Sequence, residues 1–286
     1  MSRAYRRAVR GQSSLPPATA TPLPAPLVRR LNPNPLSGAN LAYKRFVILG
    51  QARSGTSMLV SALNQHAGVL CFGEVFNPKG PFFGVRGMRN PSPIWTHYRN
   101  LFPIAFMNAL VFRGLQDDIH TVGFKILSSQ LRYCRNPVLI DRLVSDDRIR
   151  FVRLYRENKL KMLLSRTLAQ QTGLWSSSDT PSKPVAIRLD PALCAQAFSK
   201  FEEHEAFLRR TFAGDRLFSI SYEQLVSDLS LHLSRIQTHL GLDVEEIGPS
   251  TVKQRRWPER RLISNHEELR LYFEGTEWSQ FFDGGG

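Results

Sequence analysis

The stretch RFVILGQARSGTSMLVSAL, Arg45 to Leu63, decides the fold. Its apolar run Phe46 to Leu49 reads as a buried strand, Gly50 to Ser57 as a glycine loop, and Ser57 to His66 as the helix that follows. Strand, glycine loop and helix in that order make a phosphate-binding turn. Its backbone N–H groups and the positive end of the helix dipole hold an anion. The ATP-binding version, G-x-x-x-x-G-K-[ST], needs a lysine after the second glycine. Gly50 and Gly55 keep the spacing, but Thr56 stands where the lysine belongs and Arg53 lies inside the loop. A guanidinium is a permanently charged planar fork suited to phosphate or sulfate oxygens.

Outward from the loop, strand and helix patterns alternate. Val122–Leu127 and Arg148–Tyr155 read as strands, and Asn158 to Thr172 as a helix stopped by Gly173. A long helix follows Asp190-Pro191, and RLFSISYEQL, Arg216 to Leu225, gives a further strand leading into another helix. This alternation predicts an α/β fold: a single P-loop-like domain with a mostly parallel central sheet flanked by helices. The expected organisation is a Pro/Ala/Arg-rich disordered tail over 1–43 and a domain over 44–286. The tail carries no acid, the first carboxylate side chain of the chain being Glu74. A transit peptide is the minority reading of that tail, since its prolines oppose an amphipathic helix.

The 286 residues suffice for a sizeable core, and the formal net charge of +14 points to an anionic ligand, a nucleic acid or an acidic membrane surface. Cys71, Cys134 and Cys194 are scattered, against both a disulfide framework and a zinc cluster. No apolar run reaches the roughly 18 residues of a membrane span, and Pro103 to Phe112 reads as a buried helix or a cleft segment. With no secretory-signal core, the expected location is the cytoplasm.

A kinase would want a strand ending in aspartate for magnesium. The strand at Tyr155-Arg156 ends in arginine, and VLID at Asp141 is a weak substitute. A P-loop kinase with a degenerate loop stays as the alternative. A nucleic-acid-binding module is a third reading, motivated by charge and opposed by the lack of an aromatic-basic motif or zinc finger.

ILGQARSGTSMLVSAL resembles the 5′-phosphosulfate loop of sulfotransferases that use 3′-phosphoadenosine 5′-phosphosulfate (PAPS). Arg53, Ser54, Gly55, Thr56 and Ser57 match the family's [KR]-[ST]-G-[ST]-[ST] at each position. LCFGEVFNP and LYRENKLKMLLSRTLAQQTGLW are similar to segments of the bacterial carbohydrate sulfotransferases of the nodulation-factor and trehalose type. The resemblance runs from about Phe46 to Phe282 and is weaker between Lys79 and Val122.

It implies in-line transfer of a sulfuryl group from PAPS to a hydroxyl of a carbohydrate or glycolipid, with no metal and no nucleic acid partner. It implies that Arg156 and Ser165 hold the 3′-phosphate, although Arg156 stands nine residues before the serine where the widespread motif has eight, and Arg153 is the fallback. It implies a basic C-terminal loop over the cofactor, drawn from Lys253, Arg255 and Arg256, with Trp257 either stacking on adenine or anchoring the loop. It implies Glu74 as the general base. His66, at an expected helix end, is the competing base, and His97 and His120 are possible acceptor-site residues. The segment from Pro81 to Phe112 departs most from the family pattern, so acceptor choice is expected there. Most of its aromatics, Phe83, Trp95, Tyr98, Phe102 and Phe106, are expected to be core.

Overall fold

The computed structural model describes residues 37–85, 90, 94–133, 137–173, 185–249 and 257–282. Five parallel strands form the sheet: β2 (Lys44–Gly50), β3 (Val69–Glu74), β4 (Thr121–Leu127), β5 (Ile149–Tyr155) and β6 (Leu217–Ser221). Their order is β3-β4-β2-β5-β6. A short strand β1 (Ser37–Asn40) lies outside that sheet, its Gly38 N–H donating to the Gly114 carbonyl at 3.2 Å. Tyr43 is buried and its hydroxyl donates to the Arg113 carbonyl at 2.9 Å. Residues 37–43 thus pack onto the domain, several positions before the boundary expected at Lys44.

The central strands are buried on both faces, as a parallel sheet requires. Along β2, Val47 and Leu49 enter one apolar cluster with Phe124, Ile126 and Phe151. Phe46 and Ile48 enter the opposite one with Leu59, Val152 and Ile220. Helix α1 (Thr56–Leu63) covers that second face together with α9 (Leu229–Leu240). The chain runs from β2 to β3 and β4 on one side, and then to β5 and β6 on the other. The carboxyl end of β2 is thereby a topological switch point, where open α/β sheets bind ligands.

Two features depart from the sequence reading. Helix α1 stops at Leu63 rather than His66, and β3 is an additional strand. They share one cause. The Asn64 amide donates to the Cys71 carbonyl and accepts from the Cys71 N–H, both at 2.8 Å, so the chain turns at Asn64 and an edge of β3 is satisfied. Pro103 to Phe112 forms a buried turn of helix α3 (Pro103–Phe106) that passes into a π-turn. It follows α2 (Ile94–Leu101). Phe83, Trp95, Tyr98 and Phe106 are core, as expected.

Several of the remaining helices begin on side-chain caps. Asn158 starts α6 (Lys159–Thr172) by accepting from Lys161 N–H, and Gly173 ends it at φ 71°. Asp190 starts α7 (Pro191–Thr211), with proline in its first turn. Helices α4 (Ser128–Tyr133) and α5 (Pro137–Ser145) join β4 to β5. Helix α8 (Tyr222–Ser227) opens on a capping box between Ser221 and Gln224. Helices α10 (Glu259–Leu262) and α11 (His266–Tyr272) pack a third apolar cluster against α6 and α7. Cys71 and Cys194 are buried free thiols, and burial pushes the Cys194 thiol up to about 12. Cys134 lies outside the described residues.

Candidate active site

The loop from Gly50 to Ser57 sits at the end of β2, between β4 and β5. Its shape is set from within. The Ser54 hydroxyl donates to the Gln51 carbonyl at 2.8 Å and the Ser54 N–H donates to the same carbonyl at 3.2 Å. Gln51 in turn donates to the Phe201 carbonyl at 2.9 Å and to Glu205 at 2.8 Å, tying the loop to α7. Ser54 is fully buried. Its hydroxyl and amide brace the turn, so the cofactor-facing role expected of them is not supported by their placement. Thr56 is buried as well.

Two residues of the loop lie in the left-handed region, Arg53 at φ 70° and Gly55 at φ 93°. For arginine this is an uncommon conformation that the surroundings must hold in place, and such outliers gather at functional sites. Gly55 has a second constraint: a Cβ there would sit 2.5 Å from Tyr222 Cδ2. The Tyr222 ring also carries the Arg156 guanidinium, 4.7 Å above its centroid. Gly55→Ala is therefore expected to cost about 1–3 kcal/mol of stability and to displace Arg156. Thermal melting and nucleotide titration of the variant check both effects. No side chain caps α1 at Gly55, so the positive end of the helix faces the loop without an internal carboxylate.

The two anion motifs meet. Arg53 Nε donates to Ser165 Oγ on α6 at 2.8 Å, which makes Ser165 a partner of the loop and not an ordinary surface serine. Arg156 Nη1 makes a long 3.4 Å bond to the Arg53 carbonyl. Its Nε lies 3.6 Å from Glu223. Burial first, and the neighbouring Arg156 second, lower the Arg53 pKa from the ordinary guanidinium value. Two guanidiniums pressed together out of water favour an anion that both can share. Arg153 is engaged elsewhere: it pairs with Glu205 at 2.9 Å, donates to Ser219 and stacks on Tyr155. Of the two arginines, it is Arg156 that stands beside the loop.

Glu74, at the end of β3, is the centre of a second group. Its Oε1 pairs with Lys125 Nζ at 2.9 Å. Its Oε2 accepts from Gln130 at 2.7 Å and from Asn77 at 3.0 Å. Lys125 Nζ also donates to Ser57 Oγ at 2.9 Å, so a single ammonium joins the carboxylate to the first turn of α1. Lys125 was not singled out in the sequence reading. Its signal was a lysine inside VGFKIL, a strand otherwise built of residues that bury, where a charge must find a partner.

The histidines fall away from this group. His66 precedes β3 at the amino end of the sheet, where its Nε2 is 3.1 Å from the Asp243 carbonyl and its Nδ1 accepts from Gly68 N–H. His120 precedes β4 at that same end. His97 is exposed on α2. His66 is therefore not placed to be the base. Asp141 is exposed on α5 and not at a strand end, which removes the aspartate that a kinase reading needs. Trp257 packs against the third apolar cluster, the arrangement of an anchor. Lys253, Arg255 and Arg256 lie outside the described residues.

No established family model matches the chain. Nodulation protein H of Rhizobium tropici is 27% identical to it over 241 residues, covering 83% of this chain and 92% of that protein. Nodulation protein H of Rhizobium meliloti (strain 1021) is 25% identical over 253 residues, covering 87% and 98%. Among solved structures, a sulfotransferase from Alicyclobacillus acidocaldarius aligns with a TM-score of 0.45 at 16% identity, over 81% of this chain and 92% of that one. Mouse sulfotransferase SULT7A1 complexed with PAP aligns at 0.42 and 15%, over 76% and 67%. Overlaps of that degree bear no weight beside the sequence relatives and the site itself.

The parallel sheet with an anion loop on its central strand defines a P-loop-like α/β fold. The chain is similar to the nodulation H proteins over most of its length, and its loop matches the phosphosulfate pattern with the second anion motif brought against it. The kinase reading is not favoured.

Proposed function

We propose that this protein is a sulfotransferase that takes the sulfuryl group of PAPS and delivers it to a hydroxyl of a carbohydrate or glycolipid. The observation that carries this reading is the chain Glu74–Lys125–Ser57, which links a carboxylate to the anion loop through one ammonium. The residues present suit a phosphosulfate. Arg53 supplies the fork, and the uncapped start of α1, with Ser57 in its first turn, supplies dipole and donors. Arg156 and Ser165 are suited to the 3′-phosphate, and Lys253 and Arg255 are proposed to complete the cover from the C-terminal side.

The step itself is a displacement at sulfur. The acceptor oxygen forms the new S–O bond as the bond between sulfur and the bridging phosphate oxygen breaks. Glu74 takes the acceptor's proton, and the electron pair of the broken bond stays on the departing phosphate. Arg53 and Lys125 hold fixed positive charge where negative charge builds on that oxygen, which is preorganised stabilisation of the transition state. Ser165, by fixing Arg53 Nε, orients the fork. Products are a sulfate ester and adenosine 3′,5′-bisphosphate, and charges balance without a further reactant.

An acceptor on the side of β3 and β4 would approach over the segment from Pro81 to Phe112, where Phe82 and Ile94 are exposed apolar residues. Their exposure suits a sugar ring face or an acyl chain. No helix among the described residues is long and apolar enough to cross a membrane. The proposal is tested by incubating the protein with labelled PAPS and a panel of oligosaccharides, glycolipids, phenols and amines. Label is expected on the sugar-bearing acceptors. Transfer confined to phenols or amines overturns the proposed acceptor class, while the assignment as a sulfotransferase stands.

A further inference from the structure

Gln130, which donates to Glu74 Oε2, is one of the most constrained polar side chains beside the site. It is 2% exposed, in the first helix after β4. Its Oε1 accepts the Leu127 backbone N–H at 3.0 Å. That bond settles which way the amide points, since an N–H can face only the carbonyl end. The NH2 group is then directed at Glu74 Oε2, 2.7 Å away. An amide anchored to backbone on one side and to a carboxylate on the other has the form of a positioning device.

The two oxygens of Glu74 are held differently. Oε2 accepts from two neutral amides, Gln130 and Asn77. Asn77 sits in a turn that is itself fixed, its carbonyl and that of Val75 accepting from buried Arg99 at 2.6 and 3.2 Å. Oε1 meets the Lys125 ammonium, which is shared with Ser57. Lys125 is a flexible stem with three donors, and its contact besides Glu74 is Ser57 in the first turn of α1.

We propose that Gln130 is the positioning residue of the base: it locks Oε2 of Glu74, so that Oε1 alone is presented to the loop and receives the acceptor's proton. Asn77 assists from the preceding turn. Lys125 keeps its three protons throughout and turns toward the donor's charge as that charge develops. This inference rests on the reading of Glu74 as the base. A general base works only when its accepting atom is held within hydrogen-bond reach of the proton it removes. A carboxylate free to rotate would spend its turnover time with the wrong oxygen, or the wrong lone pair, toward the acceptor.

The test uses Gln130→Glu and Gln130→Met, each made in the wild-type chain and in Glu74→Gln. Gln130→Glu keeps the side-chain shape and the acceptor for Leu127 N–H, and replaces the donor that faces Glu74. Gln130→Met removes both contacts. In the wild-type background kcat is expected to fall about 10- to 100-fold, the range of a small misplacement of reacting groups. The Kd for adenosine 3′,5′-bisphosphate and the acceptor KM should stay within about twofold. In the Glu74→Gln background the same changes should add nothing, because a residue that acts only through Glu74 has nothing left to position.

A normal kcat for Gln130→Glu overturns the inference. So does an undiminished further loss in the Glu74→Gln background, which would mean that Gln130 acts through the scaffold. If Gln130→Met does not fold, Gln130→Glu decides alone. Full activity of Glu74→Gln by itself would instead overturn the base reading on which this inference stands.

Discussion

Glu74→Gln is expected to lower kcat by about 10²- to 10⁴-fold, the range for loss of a positioned base, and to leave adenosine 3′,5′-bisphosphate affinity within about twofold. The substitution keeps volume and polarity, and Lys125 retains its bond to Ser57. What disappears is the ability to accept a proton from the acceptor hydroxyl. Because the carboxylate touches Ser57 only through Lys125, the donor loop itself is not disturbed. A loss confined to kcat identifies an interaction made in the transition state. Initial rates at saturating donor, with calorimetry of the bisphosphate alongside, measure both halves. Unchanged turnover removes Glu74 from the mechanism.

Arg53→Ala is expected to be as damaging to turnover and, unlike the first variant, to weaken nucleotide binding. Removing one preorganised donor from a site of developing charge costs roughly 10²- to 10³-fold in kcat. Loss of hydrogen bonds to a charged group should raise the bisphosphate Kd by roughly 10- to 100-fold. The effect spreads because Arg53 is also the contact between the two anion motifs, through Ser165 and through its carbonyl to Arg156. Arg53→Lys should recover only part of the loss. A lysine keeps the charge but has no Nε–H to offer Ser165 while another donor faces the anion. Equal nucleotide affinity in wild type and Arg53→Ala, measured by titration, would show that the loop does not hold the donor through this side chain.

The contrast between these variants reflects how the site is built. The donor half hangs on the end of β2 and on the strand-to-helix turn after β5, the two segments with recognisable spacing. Gly50, Arg53, Gly55, Arg156 and Ser165 were legible for that reason: each follows an apolar strand or lies on a helix of clear period. The parallel sheet was legible on the same grounds. Strand β3 was not, because VLCFGE is short and carries no alternation, and its edge is satisfied by the Asn64 side chain, a contact that no period announces.

Lys125 and Gln130 escaped for a different reason. Each is meaningful only through a partner far along the chain: Glu74 for both, and Ser57 for the lysine. The sheet brings them together by placing β4 between β3 and β2. A lysine in the middle of a buried strand was the available hint. Arg153 shows the reverse case. The sequence kept it as the fallback to Arg156 for the 3′-phosphate, because alternation along β5 does not say which face is which. In the fold it turns to Glu205 on α7, while Arg156, one residue past the strand, reaches the loop. Ser54 likewise matches the motif, but its hydroxyl shapes the loop by bonding to Gln51.

The measurement that bears most directly on the central claim is titration calorimetry of the wild-type protein with two ligands, adenosine 3′,5′-bisphosphate without magnesium and ATP with magnesium. Tight binding of the bisphosphate and no binding of ATP is the predicted result, since two arginine-bearing anion motifs meet at the loop and, among the described residues, no aspartate closes a strand beside it. Binding of ATP with magnesium, and none of the bisphosphate, would contradict the assignment as a sulfotransferase and return the loop to the kinases.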